Sequence, residues 1–252
     1  MDFQSIELKQ MGTAAFIRFR NGEKNCISGQ LIDDMNQALD ICSEQSRVVV
    51  LEGNEKYFCY GADFEQITDR VSSGAETGGN PAPLFDLWKK MSEMPCAVIS
   101  HVQGAANAGG IGFVSASDIV VGAESATFSL SELLFGLMPA MVMPFLIRRI
   151  GFAKANCLTL TTKPISCAQA ESWGLADIRS AESGTVVRGL TARIAKTPKD
   201  GIARYKAYVN RLCPIDAEMR RKAVEANLEV FGDETNLQRI AEFTLHRKYP
   251  WE

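Results

Sequence analysis

Two glycine-bearing turns, Phe58-Cys-Tyr-Gly-Ala-Asp63 and Asn107-Ala-Gly-Gly-Ile-Gly112, follow the apolar runs Val48-Val-Val-Leu51 and Ala97-Val-Ile-Ser100. Glycine permits tight turns and close backbone approach. Two such turns aimed at one point would present paired N–H donors beside a helix N-terminus. Donors of that kind stabilise negative charge developing on a carbonyl oxygen, which is what chemistry through an enolate requires. Downstream, Glu132 stands among apolar neighbours in Ser129-Leu-Ser-Glu-Leu-Leu-Phe135. Such a setting disfavours the carboxylate, raises its pKa and suits it to proton transfer near neutrality. Asp63 is a second candidate for proton transfer; its other reading is a cap on the helix that follows. Asn107 is placed to hold water or a leaving hydroxyl, or simply to make the turn.

These groups need elements to hold them. Residues 5–20 read as a strand pair around Met11-Gly12. Ile32, Met35, Leu39 and Cys42 recur at helical spacing, which predicts a helix over 29–44. Strands are expected at 48–51, 97–102 and 118–122, with an extended piece at 126–129. Helices are expected after Asp63, around 84–91 and around 109–116. The repeating unit is strand, turn, helix, at a spacing of roughly 45–50 residues, which implies parallel strands joined by right-handed crossovers. The Ser72–Pro83 stretch, rich in Gly and Pro, has a loop's composition and is expected to order on substrate binding. Beyond Pro198, residues 199–212, 215–231 and 234–247 carry helical periodicity. The division expected is a core at 1–197 and a helical region at 198–252 that assembles copies of the chain or covers the site.

Composition narrows the function classes. The chain has 252 residues, 46% of them hydrophobic, and a net charge of −3. That supports a sizeable core and gives no global basic field for nucleic acid. No apolar run is long enough for a membrane span. Seven scattered cysteines without a C-x-x-C pair suggest reduced thiols. Together with an N-terminus unlike a signal peptide, they lead to the expectation of a cytoplasmic protein. With only His101 and His246, no histidine-rich metal centre is expected, and a Ser-His-Asp triad is not anticipated.

Essentially the whole chain resembles the crotonase (enoyl-CoA hydratase/isomerase) superfamily, most specifically over 47–139. The likeness is carried by Phe58–Asp63, Val102-Gln-Gly-Ala-Ala-Asn-Ala-Gly-Gly110, Asp118 and Phe128–Pro139. The segments 144–151, 162–166 and 250–252 extend it to the hydratase-like dehydratases of polyketide β-branching. The resemblance implies an α/β crotonase-like spiral of strand-turn-helix units with a C-terminal helical region. It also implies an oxyanion hole from the backbone N–H groups of Tyr60 and Gly109, with Glu132 as catalytic acid or base. Hydratases of the superfamily carry a second glutamate where this chain has Gly112, which cannot transfer a proton.

The activity implied is dehydration of 3-hydroxy-3-methylglutaryl-acyl carrier protein to 3-methylglutaconyl-acyl carrier protein. The alternatives are an enoyl-CoA hydratase or isomerase of acyl-CoA metabolism and a non-catalytic binding protein. No cofactor or metal is expected, since the substrate rides on phosphopantetheine or coenzyme A. Expected partners are an acyl carrier protein and copies of the chain in a homotrimer or dimer of trimers, with neither nucleic acid nor membrane. Pocket candidates are Trp88 and Leu134, with Phe64, Leu84, Leu87, Phe135 and Met138, although residues of these types more often belong to the core. Lys89, Lys90 and Arg70 are candidates for a substrate carboxylate. Arg20, Lys24, Arg204, Lys206 and Arg211 are candidates for carrier phosphate or acidic helices.

Overall fold

The computed structural model describes residues 2–73 and 79–252. The chain opens with the antiparallel pair β1 (Ile6–Met11) and β2 (Ala14–Phe19), followed by α1 (Gly29–Gln45). The Ser28 side chain caps α1 by accepting from the Leu31 N–H, and the helix buries Leu31, Met35, Ala38, Leu39 and Cys42 along one face.

The next segment winds as a spiral. Each turn places one strand in a six-stranded sheet and one in a four-stranded sheet: β3 (Val48–Glu52) and β4 (Tyr57–Cys59), β5 (Ala97–Val102) and β6 (Ala105–Asn107), β7 (Ile119–Ala123) and β8 (Thr127–Ser129). β3, β5 and β7 are parallel neighbours in the first sheet; β4, β6 and β8 are parallel neighbours in the second. Because β3, β5 and β7 are buried on both faces, they read as largely apolar runs, broken in β5 by the buried Ser100 and His101.

The expected spacing holds only for the first turn of the spiral, from Val48 to Ala97; the second runs from Ala97 to Ile119. The first turn carries α2 (Phe64–Ser73) and α3 (Ala82–Glu93), whereas the second carries only α4 (Gly109–Ala116). The stretch read as a loop over 72–83 is helical at both ends, in α2 and α3; its middle, residues 74–78, lies outside the described residues.

After β8 come a 3-10 turn at Glu132–Phe135, α5 (Met143–Thr161), β9 (Ile165–Ser166), α6 (Cys167–Trp173), β10 (Ile178–Ser180) and α7 (Ser183–Ile194). Three helices follow: α8 (Lys199–Leu212), α9 (Ala217–Gly232) and α10 (Glu234–His246). The main core holds an aromatic group in which Trp88 meets Phe113 at 5.8 Å and Phe145 at 6.0 Å between ring centroids, both edge to face. Such pairs contribute about 0.5–1.5 kcal/mol each beyond their area.

The terminal helices dock on this core. Lys206 of α8 is buried; its ammonium donates to the Met91 and Cys96 carbonyls and, at 2.7 Å, to Asp118 Oδ2. It therefore pins α8 and is not available to a carrier, contrary to the expectation for that lysine. Phe135, Leu137, Val230 and Ile240 form a smaller core where α9 and α10 meet the 3-10 turn. Among the described residues, no helix is long and apolar enough to cross a membrane.

Candidate active site

The two glycine turns meet. Gly61 has φ +84°, and a Cβ placed there would lie 3.2 Å from the Gly109 nitrogen and run into the Ala108 Cβ. Two segments 48 residues apart thus abut because a glycine stands at the contact and has the backbone freedom the turn needs. A cavity of about 870 Å³ opens beside them, and Tyr60, Asp63, Asn107, Gly109 and Glu132 all stand on its wall.

Gly109 is the first residue of α4, and its N–H has no hydrogen-bond partner among the described residues. A free N–H at a helix N-terminus favours negative charge. Tyr60 differs from the expectation. Its N–H donates to the Lys24 carbonyl at 3.1 Å, and the Ile27 N–H donates back to the Gly61 carbonyl at 2.8 Å. Residues 24–27 therefore run as a short parallel partner of the 60–62 turn. The first donor of the expected oxyanion hole is thus occupied by the Lys24 carbonyl in this structure. A neutral carbonyl is a weaker acceptor than an enolate oxygen, so charge development favours transfer of this N–H to the reacting oxygen.

Glu132 begins the 3-10 turn. The residue as a whole is partly exposed, but its Oε2 is buried and has no hydrogen-bond partner among the described residues. Burial pushes its pKa up to about 7, against a smaller downward pull from the backbone N–H groups of Glu132 and Ser131. No cation offsets the desolvation, so the carboxyl is poised for proton transfer near neutrality.

Asp63 lies on the same cavity, but its Oδ1 accepts from the Glu65 N–H at 3.0 Å and the Gln66 N–H at 3.3 Å. That is a cap on α2. Asp63→Asn keeps an acceptor at the cap and removes the acid. Turnover within about threefold of the parent is expected; a much larger loss, with the melting temperature held, would assign the carboxylate to proton transfer.

Asn107 is buried in a polar chain that the sequence reading missed. Ser129 Oγ donates to Asn107 Oδ1 at 2.7 Å, and Asn107 Nδ2 donates to Ser131 Oγ at 2.9 Å. Asn107 and Ser129 are direct partners across β6 and β8. The available signal was the alternation of Ser129 and Ser131 around the buried Leu130.

Of the other pocket candidates, Phe64, Leu84, Trp88, Leu134, Phe135 and Met138 line the cavity, and Leu87 is core. None of Lys89, Lys90 and Arg70 reaches it. Lys89 pairs with Glu93 and Lys90 with Asp40. The cations on the wall are Lys24 and Arg247, the latter just beyond α10, together with Phe243 and Tyr249. Of the remaining carrier candidates, Arg20 pairs with Glu7 and Arg204 with Asp200, while Arg211 lies over the Tyr208 ring.

Gly112 of α4 faces the Trp88 indole. A Cβ on it would stand 2.5 Å from Trp88 Cε2 and closer still to Cζ2 and Cη2. The indole fills the space a side chain at 112 would need. Glu132 is therefore without a carboxylate partner on that helix.

Away from the cavity, His101 joins a structural hydrogen-bonded series. His101 Nδ1 lies 3.0 Å from Glu52 Oε1, and Nε2 lies 3.0 Å from Ser183 Oγ. None of the three lines the cavity, and the series ties α7 to β3 and β5. Among the described residues, no group of three or more His, Cys, Asp and Glu is placed to hold a metal.

The family model for enoyl-CoA hydratase/isomerase matches residues 9–252. The chain is 42% identical over 252 residues to the bacillaene synthase dehydratase PksH of Bacillus subtilis, covering 99% of this chain and 97% of that one. A solved structure of a polyketide biosynthesis enoyl-CoA hydratase from Bacillus subtilis superposes with a TM-score of 0.96 at 42% identity, covering 99% and 100% of the two chains. An enoyl-CoA hydratase structure from Mycobacterium avium, 23% identical with a TM-score of 0.84 and full coverage of both chains, shares the fold.

Proposed function

We propose a specific reaction for this chain from the premise that it belongs to the enoyl-CoA hydratase/isomerase family. It is a hydro-lyase, a dehydratase of polyketide biosynthesis, in keeping with its full-length likeness to a bacillaene synthase dehydratase. Its substrate is 3-hydroxy-3-methylglutaryl carried on the phosphopantetheine of an acyl carrier protein, and its product is the 3-methylglutaconyl thioester. The observation that carries this reading is a single buried carboxyl, Glu132, on the cavity wall, with the place for a second on α4 filled by Trp88. Paired acids suit the activation of a free water for addition. One acid suits moving a proton within a substrate that already carries its oxygen.

The thioester oxygen takes the N–H groups of Gly109 and Tyr60, the latter released from Lys24. Each such donor lowers the barrier by about 3–4 kcal/mol. The Glu132 carboxylate removes the C2 proton and delivers it to the departing 3-hydroxyl on the same face. Lys24 and Arg247 are the cations placed to meet the substrate carboxylate or the carrier phosphate. Exposed Phe152, Leu160, Tyr205 and Leu245 support assembly into a homotrimer or a dimer of trimers.

The test offers 3-hydroxy-3-methylglutaryl on carrier protein and follows loss of one water by intact-protein mass spectrometry. Loss within minutes at catalytic enzyme is expected. No loss, alongside rapid hydration of crotonyl-CoA, would reject the reading in favour of ordinary acyl-CoA metabolism.

A further inference from the structure

Trp88 is fully buried, yet its Nε1–H has no acceptor among the described residues. Glu132 Oε2 is the other buried orphan on the same cavity wall. Native structures rarely leave such groups unpaired, and two of them in residues of one cavity wall call for a polar partner drawn from the cavity. The group must accept from the indole and exchange a proton with the carboxyl. A hydroxyl does both; an ammonium cannot accept, and a carboxylate would be repelled by Glu132. The ring also stands at a defined place. It abuts Gly112, one helical turn along α4 from Gly109, which lines the cavity and whose N–H has no partner among the described residues.

We infer that Trp88 Nε1–H donates to the 3-hydroxyl oxygen of the substrate and holds the leaving group toward Glu132. This rests on the reading of the chain as a dehydratase of 3-hydroxyacyl thioesters. The indole transfers no proton. In the elimination, the C2–H and C3–O bonds break and the C2=C3 bond forms. The C2 proton passes through Glu132 to the departing oxygen, which leaves as water, and the carboxylate is regenerated. Trp88 orients the C–O bond and stabilises the charge growing on its oxygen.

Trp88→Phe keeps an aromatic ring against Gly112 and removes only the donor. A fall in kcat of about tenfold to a hundredfold is expected, with KM within about threefold and the midpoint of the pH profile unmoved. Unchanged kcat, or a moved midpoint, would overturn the inference, the latter because the ring would then act through the surroundings of Glu132. Indole NMR of Glu132→Gln protein labelled with 15N-tryptophan supplies a second readout. Trp88 should move downfield with the 3-hydroxy-3-methylglutaryl thioester of pantetheine and stay in place with the 3-methylglutaryl thioester, which lacks the hydroxyl. The same response to both, or to neither, would overturn it. If the parent protein dehydrates 3-hydroxybutyryl-CoA but not the glutaryl substrate, the substrate reading fails. The pair 3-hydroxybutyryl and butyryl thioesters then decides the role of Trp88.

Discussion

Glu132→Gln is expected to lower kcat by about a thousandfold or more, because among the described residues of the cavity wall Glu132 carries the buried, unpartnered carboxyl oxygen, while Asp63 is held as the α2 cap. The parent should show kcat/KM falling about tenfold per pH unit below the Glu132 pKa of about 7, since the carboxylate is the working form. The variant should lose that limb. Stability should move the other way. Glu132 has a raised pKa in the folded chain, so the folded state holds its proton more tightly than the unfolded state does. The favourable linkage is complete below the ordinary carboxyl value of 4.5 and is lost as pH rises through about 7. At pH 8 the parent therefore carries a cost of about 3 kcal/mol for ionising a buried group, and the amide does not. Glu132→Gln should melt higher than the parent at pH 8 and no higher at pH 4.5. A variant that keeps a tenth of parental turnover would remove Glu132 from the mechanism. One that melts lower at pH 8 would show that the carboxylate is not strained by burial.

The second large effect concerns Gly112→Glu, which would return the carboxylate found in two-acid hydratases. It is expected to damage the fold and yield no hydratase. The new Cβ overlaps the Trp88 ring, itself wedged between Phe113 and Phe145. Overpacking costs about 1–3 kcal/mol, and an unpaired buried carboxyl adds about as much again. For a chain of this size the melting temperature should fall by about 10 °C. Trp88→Ala alone is also destabilising, by about 3–5 kcal/mol, because it leaves a cavity. The double variant should lose at least about 2 kcal/mol less than the two losses added, since each change relieves the other. Strict additivity, read from urea unfolding, would mean that the ring does not exclude the carboxylate.

The parts of the fold that follow from one element meeting the core were legible. The apolar spacing of Ile32, Met35, Leu39 and Cys42 marked α1, and the three periodic stretches after Pro198 became α8, α9 and α10. The glycine turns were legible because tight turning restricts residue type locally. Contacts between elements were not. Periodicity shows that Trp88 faces inward but not that it faces Gly112. Lys206 looked like a surface cation on a helix, because nothing local reveals that the carbonyls of Met91 and Cys96 converge on it. The bond from Tyr60 to Lys24 was invisible for a related reason: it joins two backbones, and side-chain type leaves no trace of it.

The seating of Trp88 against Gly112 also bears on how this protein can change over generations. Gaining a carboxylate at 112 requires the ring at 88 to shrink first or at the same time, and either step alone passes through a poorly folded intermediate. The two positions lie on different helices, so no single short insertion or recombination within one helix resolves the conflict. A chain with this tryptophan is separated by a stability valley from one with a carboxylate at 112, while small changes around Glu132 and the cavity rim stay open to selection.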